Sequence, residues 1–245
     1  MTHSVDADSL RAGARYWNRT GVRSRFFDAL SLLLPAGEAF FIDTVETWRA
    51  RSDLSSNQAL DTEIDRFIRE ETAHLQAHRR YNASLAADLP TVGAVAQRAG
   101  RVTDDLAKLS APMQLALVAA FEHLTTVLAE EISSHAYLIV DDESRPSRLW
   151  RWHAREELGH RDVAMDTAVH AGIGRGSLVL ALLLTTAYLT TDVLRYTYAL
   201  CRCDIRSGAS RTRALVDAAR FAVGAVPSLL RMTRGWCRYL VAPIR

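Results

Sequence analysis

The sequence predicts an all-α protein: a four-helix bundle with a dinuclear metal centre, extended by further helices towards the C-terminus. Three observations carry this. A Glu-x-x-His unit occurs twice, as Glu71-Thr-Ala-His74 and as Glu157-Leu-Gly-His160. One more glutamate precedes each unit at a similar distance, Glu38 by 33 residues and Glu122 by 35. Apolar residues around these positions recur at helical spacing, as in Phe41, Val45 and Trp48 beyond Glu38 and in Ile64 and Phe67 before Glu71.

One Glu-x-x-His arises by chance in many helices, but the complete set in register is far more specific. Its order, Glu, Glu-x-x-His, Glu, Glu-x-x-His, is the di-iron or di-manganese ligand set of ferritin-like four-helix bundles. At roughly 100° per residue, His153, Glu157 and His160 fall within about 60° of one another, so one helix face carries two imidazoles and a carboxylate. Buried carboxylates are costly to desolvate unless neutralised, and four of them call for cations. Carboxylate and imidazole without thiolate favour iron or manganese over structural zinc. By analogy Glu71 and Glu157 bridge two metals, Glu38 and His74 complete one, and Glu122 and His160 the other. His78 and His153 are additions. In antiparallel helices they lie towards the same end, where each is a candidate ligand, ligand-orienting group or substrate contact, with His78 the weaker candidate. A third cation between them is one arrangement this allows. Glu70, Glu130, Glu131 and Glu156 read as solvated or salt-bridged, and His123 and His135 as surface or packing residues.

Taken in order, residues 1–23 show no clean period and are expected to wrap the surface. Pro35 suits the first turn of the first helix, where its missing N–H costs nothing. The second helix is expected over about 61–84. Residues 85–110 form a long crossover with a helical patch of their own. Ser110 and Pro112 open a third helix running to about Val140. Asp141–Glu143, Ser144 and Pro146 open a fourth, ending near Gly172. The sixteen uncharged residues 176–191 fall short of the roughly 20 needed for a membrane span and are expected to form a buried fifth helix. A last helix, kinked near Pro227, covers about 211–239. The whole reads as one domain, 1–245, with the metal-binding core at about 27–170 and accessory helices at about 175–240.

Composition narrows the functional classes. The net charge of +2 gives no support for nucleic-acid binding. Residues 201–245, however, hold nine arginines against Asp204 and Asp217, a local +7 that leaves −5 elsewhere. A solvated face explains this; so would attraction for a carboxylate substrate, an acidic carrier protein or a membrane surface. Three cysteines and a polar start without a signal-peptide pattern suggest a reduced, cytoplasmic protein. A homodimer is compatible with all of this.

The stretches LLPAGEAFFIDTVETWR, FIREETAHLQAHRRYN and WRWHAREELGHRDVAMD resemble a bacterial family labelled predicted metal-dependent hydrolases. The order Glu, Glu-x-x-His, Glu, His-x-x-x-Glu-x-x-His is also similar to that of the p-aminobenzoate (aryl-amine) N-oxygenases, which are non-haem di-iron enzymes. That second resemblance implies that His153 joins Glu122, Glu157 and His160 on one iron; His78 departs from it. The expectation is an O2-activating di-iron oxidoreductase, an N-oxygenase, hydroxylase or desaturase acting on a small molecule, with O2 as co-substrate and an external electron donor. The alternative is a metal-dependent hydrolase using a metal-bound hydroxide.

Overall fold

The computed structural model describes residues 16–241, and among these it shows nine helices and no strand. They are α1 (Gly21–Arg49), α2 (Gln58–Asp88), α3 (Thr91–Leu106), α4 (Ala111–Ser134), α5 (Arg145–Glu157), α6 (His160–His170), α7 (Arg175–Arg206), α8 (Arg211–Gly224) and α9 (Val226–Val241). The bundle is formed by α1 packed on α2, and α4 packed on α5 and α6, with α2 also touching α5 and α6. The crossover helix α3 lies against α1 and α2, while α7 packs on both α1 and α4.

Local chemistry sets several starts. Thr20, Asn57 and Ser144 accept hydrogen bonds from the backbone N–H of Arg23, Leu60 and Ser147, relieving donors that a helix start leaves without partners. Between α6 and α7 the chain turns through Gly172, whose φ of 72° suits a residue without Cβ.

The structure corrects the sequence reading at several elements. Pro35 lies inside α1, which starts at Gly21; the preceding turns carry their own amphipathic face, with Phe27, Leu32 and Leu33 buried. Residues 1–15 lie outside the described residues, but Asn18 is no surface wrap: it donates to Leu138 O at 2.9 Å and accepts from Val140 N at 3.1 Å. That stitch holds residues 138–140 outside α4, which ends at Ser134. The fourth bundle helix divides at Leu158–Gly159, where Gly159 N reaches Glu156 O in a tighter i→i−3 bond of 3.4 Å. The last helix divides at Ala225.

The apolar fifth helix extends to Arg206 and is only partly buried. Leu178, Ala181 and Leu182 enter the core, while Leu180, Leu183 and Leu184 are exposed. Among the described residues α7 is the one helix long and apolar enough to cross a membrane, and 33% of that stretch is buried. A buried network fixes α7 to α1. Arg25 donates to Asp204 at 2.7 and 2.9 Å and to Asp28 at 2.8 Å, and Asp28 also accepts from Trp17 and Tyr81. In the arginine-rich C-terminal part, Arg231 clasps the buried Glu131 with two bonds, of 2.8 and 2.5 Å, and holds α9 on α4. Arg202, Arg206, Arg211, Arg213, Arg220, Arg234 and Arg238 are exposed.

Candidate metal centre

All eight sequence-predicted ligands are buried: Glu38, Glu71, His74, His78, Glu122, His153, Glu157 and His160. Each bundle segment delivers its share. Glu38 comes from α1, Glu71, His74 and His78 from one stripe of α2, Glu122 from α4, His153 and Glu157 from α5, and His160 from the first position of α6. Phe67 lies edge-on to His160 at one end of the group and Trp150 edge-on to His78 at the other.

Ligand atoms of Glu71, His74, Glu157 and His160 lie within 4.8 Å of one another, and so do those of Glu38, His78 and His153. The carboxylates of Glu71 and Glu157 sit between the two imidazoles. His160 Nδ1 is 2.7 Å from Glu71 and 3.6 Å from Glu157; His74 Nδ1 is 3.3 Å from Glu71 and 3.9 Å from Glu157. Glu122 approaches His160 Nδ1 at 3.8 Å. His153 Nε2 lies 2.9 Å from Glu157 but otherwise groups with Glu38 and His78, rather than with Glu122 and His160 as the N-oxygenase resemblance implies.

Two glutamates read as solvated or salt-bridged have a more specific place. Glu70 and Glu156 each precede a motif glutamate, and each serves the histidine of the other motif. His160 Nε2–H donates to Glu70 at 2.9 Å, and His74 Nε2–H donates to Glu156 at 3.0 Å. The exchange turns Nδ1 of both rings inward, as carboxylate partners do for metal-bound histidines. The signal was in the sequence, since both units read Glu-Glu-x-x-His. Glu130 and Glu131 do pair with arginines, and His123 packs on Tyr239.

His78 is oriented by a longer chain of contacts that begins with Pro35. Proline has no N–H, so the Ser31 carbonyl four residues earlier has no helical partner. Asn82 Nδ2 donates to that carbonyl at 2.8 Å, which turns its Oδ1 to accept from the Ser31 hydroxyl at 2.7 Å. Its proton committed, Ser31 Oγ accepts at 2.8 Å from Nδ1–H of His78. His78 Nε2 therefore carries a lone pair, and it is buried without a partner. Burial, and then the neighbouring His153 and His74, hold the ring's pKa well below its ordinary value, in keeping with a neutral imidazole.

The inward atoms fit cations. Both oxygens of Glu38, Glu71 and Glu122, Nδ1 of His74, His153 and His160, and Nε2 of His78 are buried without a well-aligned hydrogen bond, the short approach of His160 to Glu71 included. Buried polar atoms are rarely left so. Two divalent ions match the charge of the four inward glutamates. Without them, burial and the neighbouring carboxylates Glu71 and Glu157 push Glu38 and Glu122 well above the usual range. Burial would also raise Glu157, but His153 and His160 hold it well below that range. His160, against the effect of burial, is raised to about 12 by Glu157 and Glu71.

A family described as predicted metal-dependent hydrolase matches residues 2–242, nearly the whole chain. The chain belongs to that family. The buried glutamate–histidine groups are able to hold metal ions, in keeping with that description. No curated protein and no solved structure matches the chain.

Proposed function

We propose that this centre binds two iron ions and that the protein is an O2-dependent oxidoreductase, of N-oxygenase, hydroxylase or desaturase type, acting on a small organic substrate. The observation that carries this is the convergence of four buried glutamates and four buried imidazoles, of which Glu38, Glu71, Glu122 and one nitrogen of each of the four rings have no well-aligned hydrogen bond. Bound there, iron would supply O2 activation with electrons from an external donor, whereas a redox-inert cation on the same ligands would activate water.

Within that chemistry the chain has definite tasks. Glu70 and Glu156 fix the rings of His160 and His74; Ser31 and Asn82 fix His78. Phe67 and Trp150 close the two ends against water. The second reading is metal-dependent hydrolysis, and the family description favours it. In favour of the oxidative reading stands the mainly apolar wall beside His153, which suits a hydrocarbon group better than the polar ester or amide that hydrolysis would need. Aeration of protein loaded anaerobically with Fe(II) is expected to consume O2 and give a transient visible absorption, with about two irons per chain by analysis. Turnover of esters or amides under nitrogen by zinc-loaded protein would overturn the oxidative reading in favour of the hydrolytic one.

A further inference from the structure

A cleft of about 90 Å³ runs between α1, α3, α4, α5 and α7 and reaches His153 of the metal centre. Its outer part is lined by half-buried Leu30, Leu34, Leu106 and Leu189, and its inner part by buried Phe40 and Phe121. Five lining side chains carry a polar atom: Thr103, Thr125, Trp150, His153 and Tyr188. Two of these touch the same metal-site glutamate. Thr125 Oγ1 donates to Glu157 at 3.0 Å, and His153 Nε2 lies 2.9 Å from it. His153 is 4% exposed, and its Nδ1 has no partner. The polar end of the cleft is thus the wall of the centre itself.

The wall also keeps a glycine where an alanine would fit. Gly37 is inside α1, next to Glu38, and lines the cleft. A Cβ built there would meet only Phe41, at 3.6 Å, an ordinary contact. Without a Cβ at this position the cleft keeps its space beside Glu38 open.

We infer that this cleft holds the unbranched hydrocarbon chain of the substrate and delivers its carbons to the side of the centre formed by Glu38, His78 and His153. The inference rests on the metal-centre reading above and adds the substrate class to it. The space is spread between five helices, from the half-buried leucines to His153, a path that an extended chain can follow from end to end. The walls between mouth and centre carry no charged group that would recognise a polar metabolite.

The test is calorimetric titration of the full-length, metal-loaded protein with n-alkanols from butanol to dodecanol, with aniline as the aromatic comparison. Affinity is expected to rise about fourfold per methylene, the value of burying one CH2, until the chain fills the cleft. Gly37→Leu should shorten the longest chain accommodated and weaken binding of longer ones at least tenfold, with metal content unchanged. Ala99→Leu, from the α3 wall, should do the same and serves if the first variant does not fold. Affinity independent of chain length, tighter binding of aniline than of hexanol, or folded variants that bind like the parent would overturn the inference. Chain-dependent binding by protein that retains no metal would uphold the cleft and overturn the dinuclear reading instead.

Discussion

At the scale of single residues, the centre depends on groups that touch no inward ligand atom. Glu70 and Glu156 are the clearest, because each is shared across the two halves of the bundle. Glu70→Ala and Glu156→Ala are expected to weaken metal binding by about 10–100-fold each, the usual effect of losing such a partner. Their crossed pairing makes the two losses similar, and competition with a chelator of known affinity measures both. Unchanged affinity in either variant would remove that pair from the centre. Asn82 gives a sharper contrast. Asn82→Leu abolishes the donor to the Ser31 carbonyl and frees the hydroxyl to donate to His78, allowing its ring to adopt the other tautomer. The expected result is loss of His78 from the ligand set, visible as a changed visible spectrum of cobalt-loaded protein, while Glu71 and Glu157 keep the metal count near two. A spectrum identical to that of the parent would show that the relay does not control His78.

Elements were legible in the sequence to the extent that their signals were local. Pro112 in the first turn of α4, and Ser144 with Pro146 at the start of α5, mark those starts because first-turn prolines and a cap such as Ser144, which accepts from Ser147 N, need only neighbouring residues. The two Glu-x-x-His units identified the helices that build the centre, since four glutamates in an apolar core have few other physical solutions. What could not be read depends on contacts distant in sequence. The stitch from Asn18 to 138–140 ends α4 early, and Pro35 is accommodated mid-helix by Asn82, which is 47 residues away. The exchange of Glu70 and Glu156 between motifs likewise exists only once the helices are side by side. The docking of α7 belongs to this class too, for Arg25 lies 179 residues from Asp204. Asp204→Ala would leave the buried Arg25 guanidinium with Asp28 as its remaining carboxylate partner. Breaking such a pair costs about 3–5 kcal/mol, so the unfolding free energy from urea titration should fall by that amount. A loss below about 1 kcal/mol would mean that apolar packing of α7 on α1 and α4, rather than the ion pair, holds the helix.

Over the whole molecule, the centre places charge where a bundle would otherwise place leucine, and stability must therefore depend jointly on metal and pH. In the metal-free protein Glu38 and Glu122 have pKa values raised well above the ordinary carboxylate value of 4.5, chiefly by burial. Their protons bind the folded state more tightly than the unfolded chain, so this stabilisation is complete below about pH 4.5 and is lost as pH rises towards the folded pKa. His160, raised to about 12, acts in the same direction from its ordinary value of 6.5 upward. Glu157 and His78, whose values are lowered, act oppositely, but Glu157 does so only near and below the usual carboxylate range and His78 below about 6.5. Between pH 6.5 and 9 the raised groups are left to dominate, and the metal-free protein should lose melting temperature steadily. Each differentially bound proton contributes about 1.4 kcal/mol per pH unit, worth roughly 2–4 °C per kcal/mol in a chain of this size. Cations that take the place of those protons should flatten the curve and raise the melting temperature most at the alkaline end, because binding at deprotonated ligands strengthens as protons leave. Calorimetry of metal loading in buffers of different ionisation enthalpy should accordingly find more than one proton released per chain. A metal-free protein whose melting temperature is level or rising across that window would mean that the inward carboxylates are already ionised and solvated, and the centre as described here would not stand.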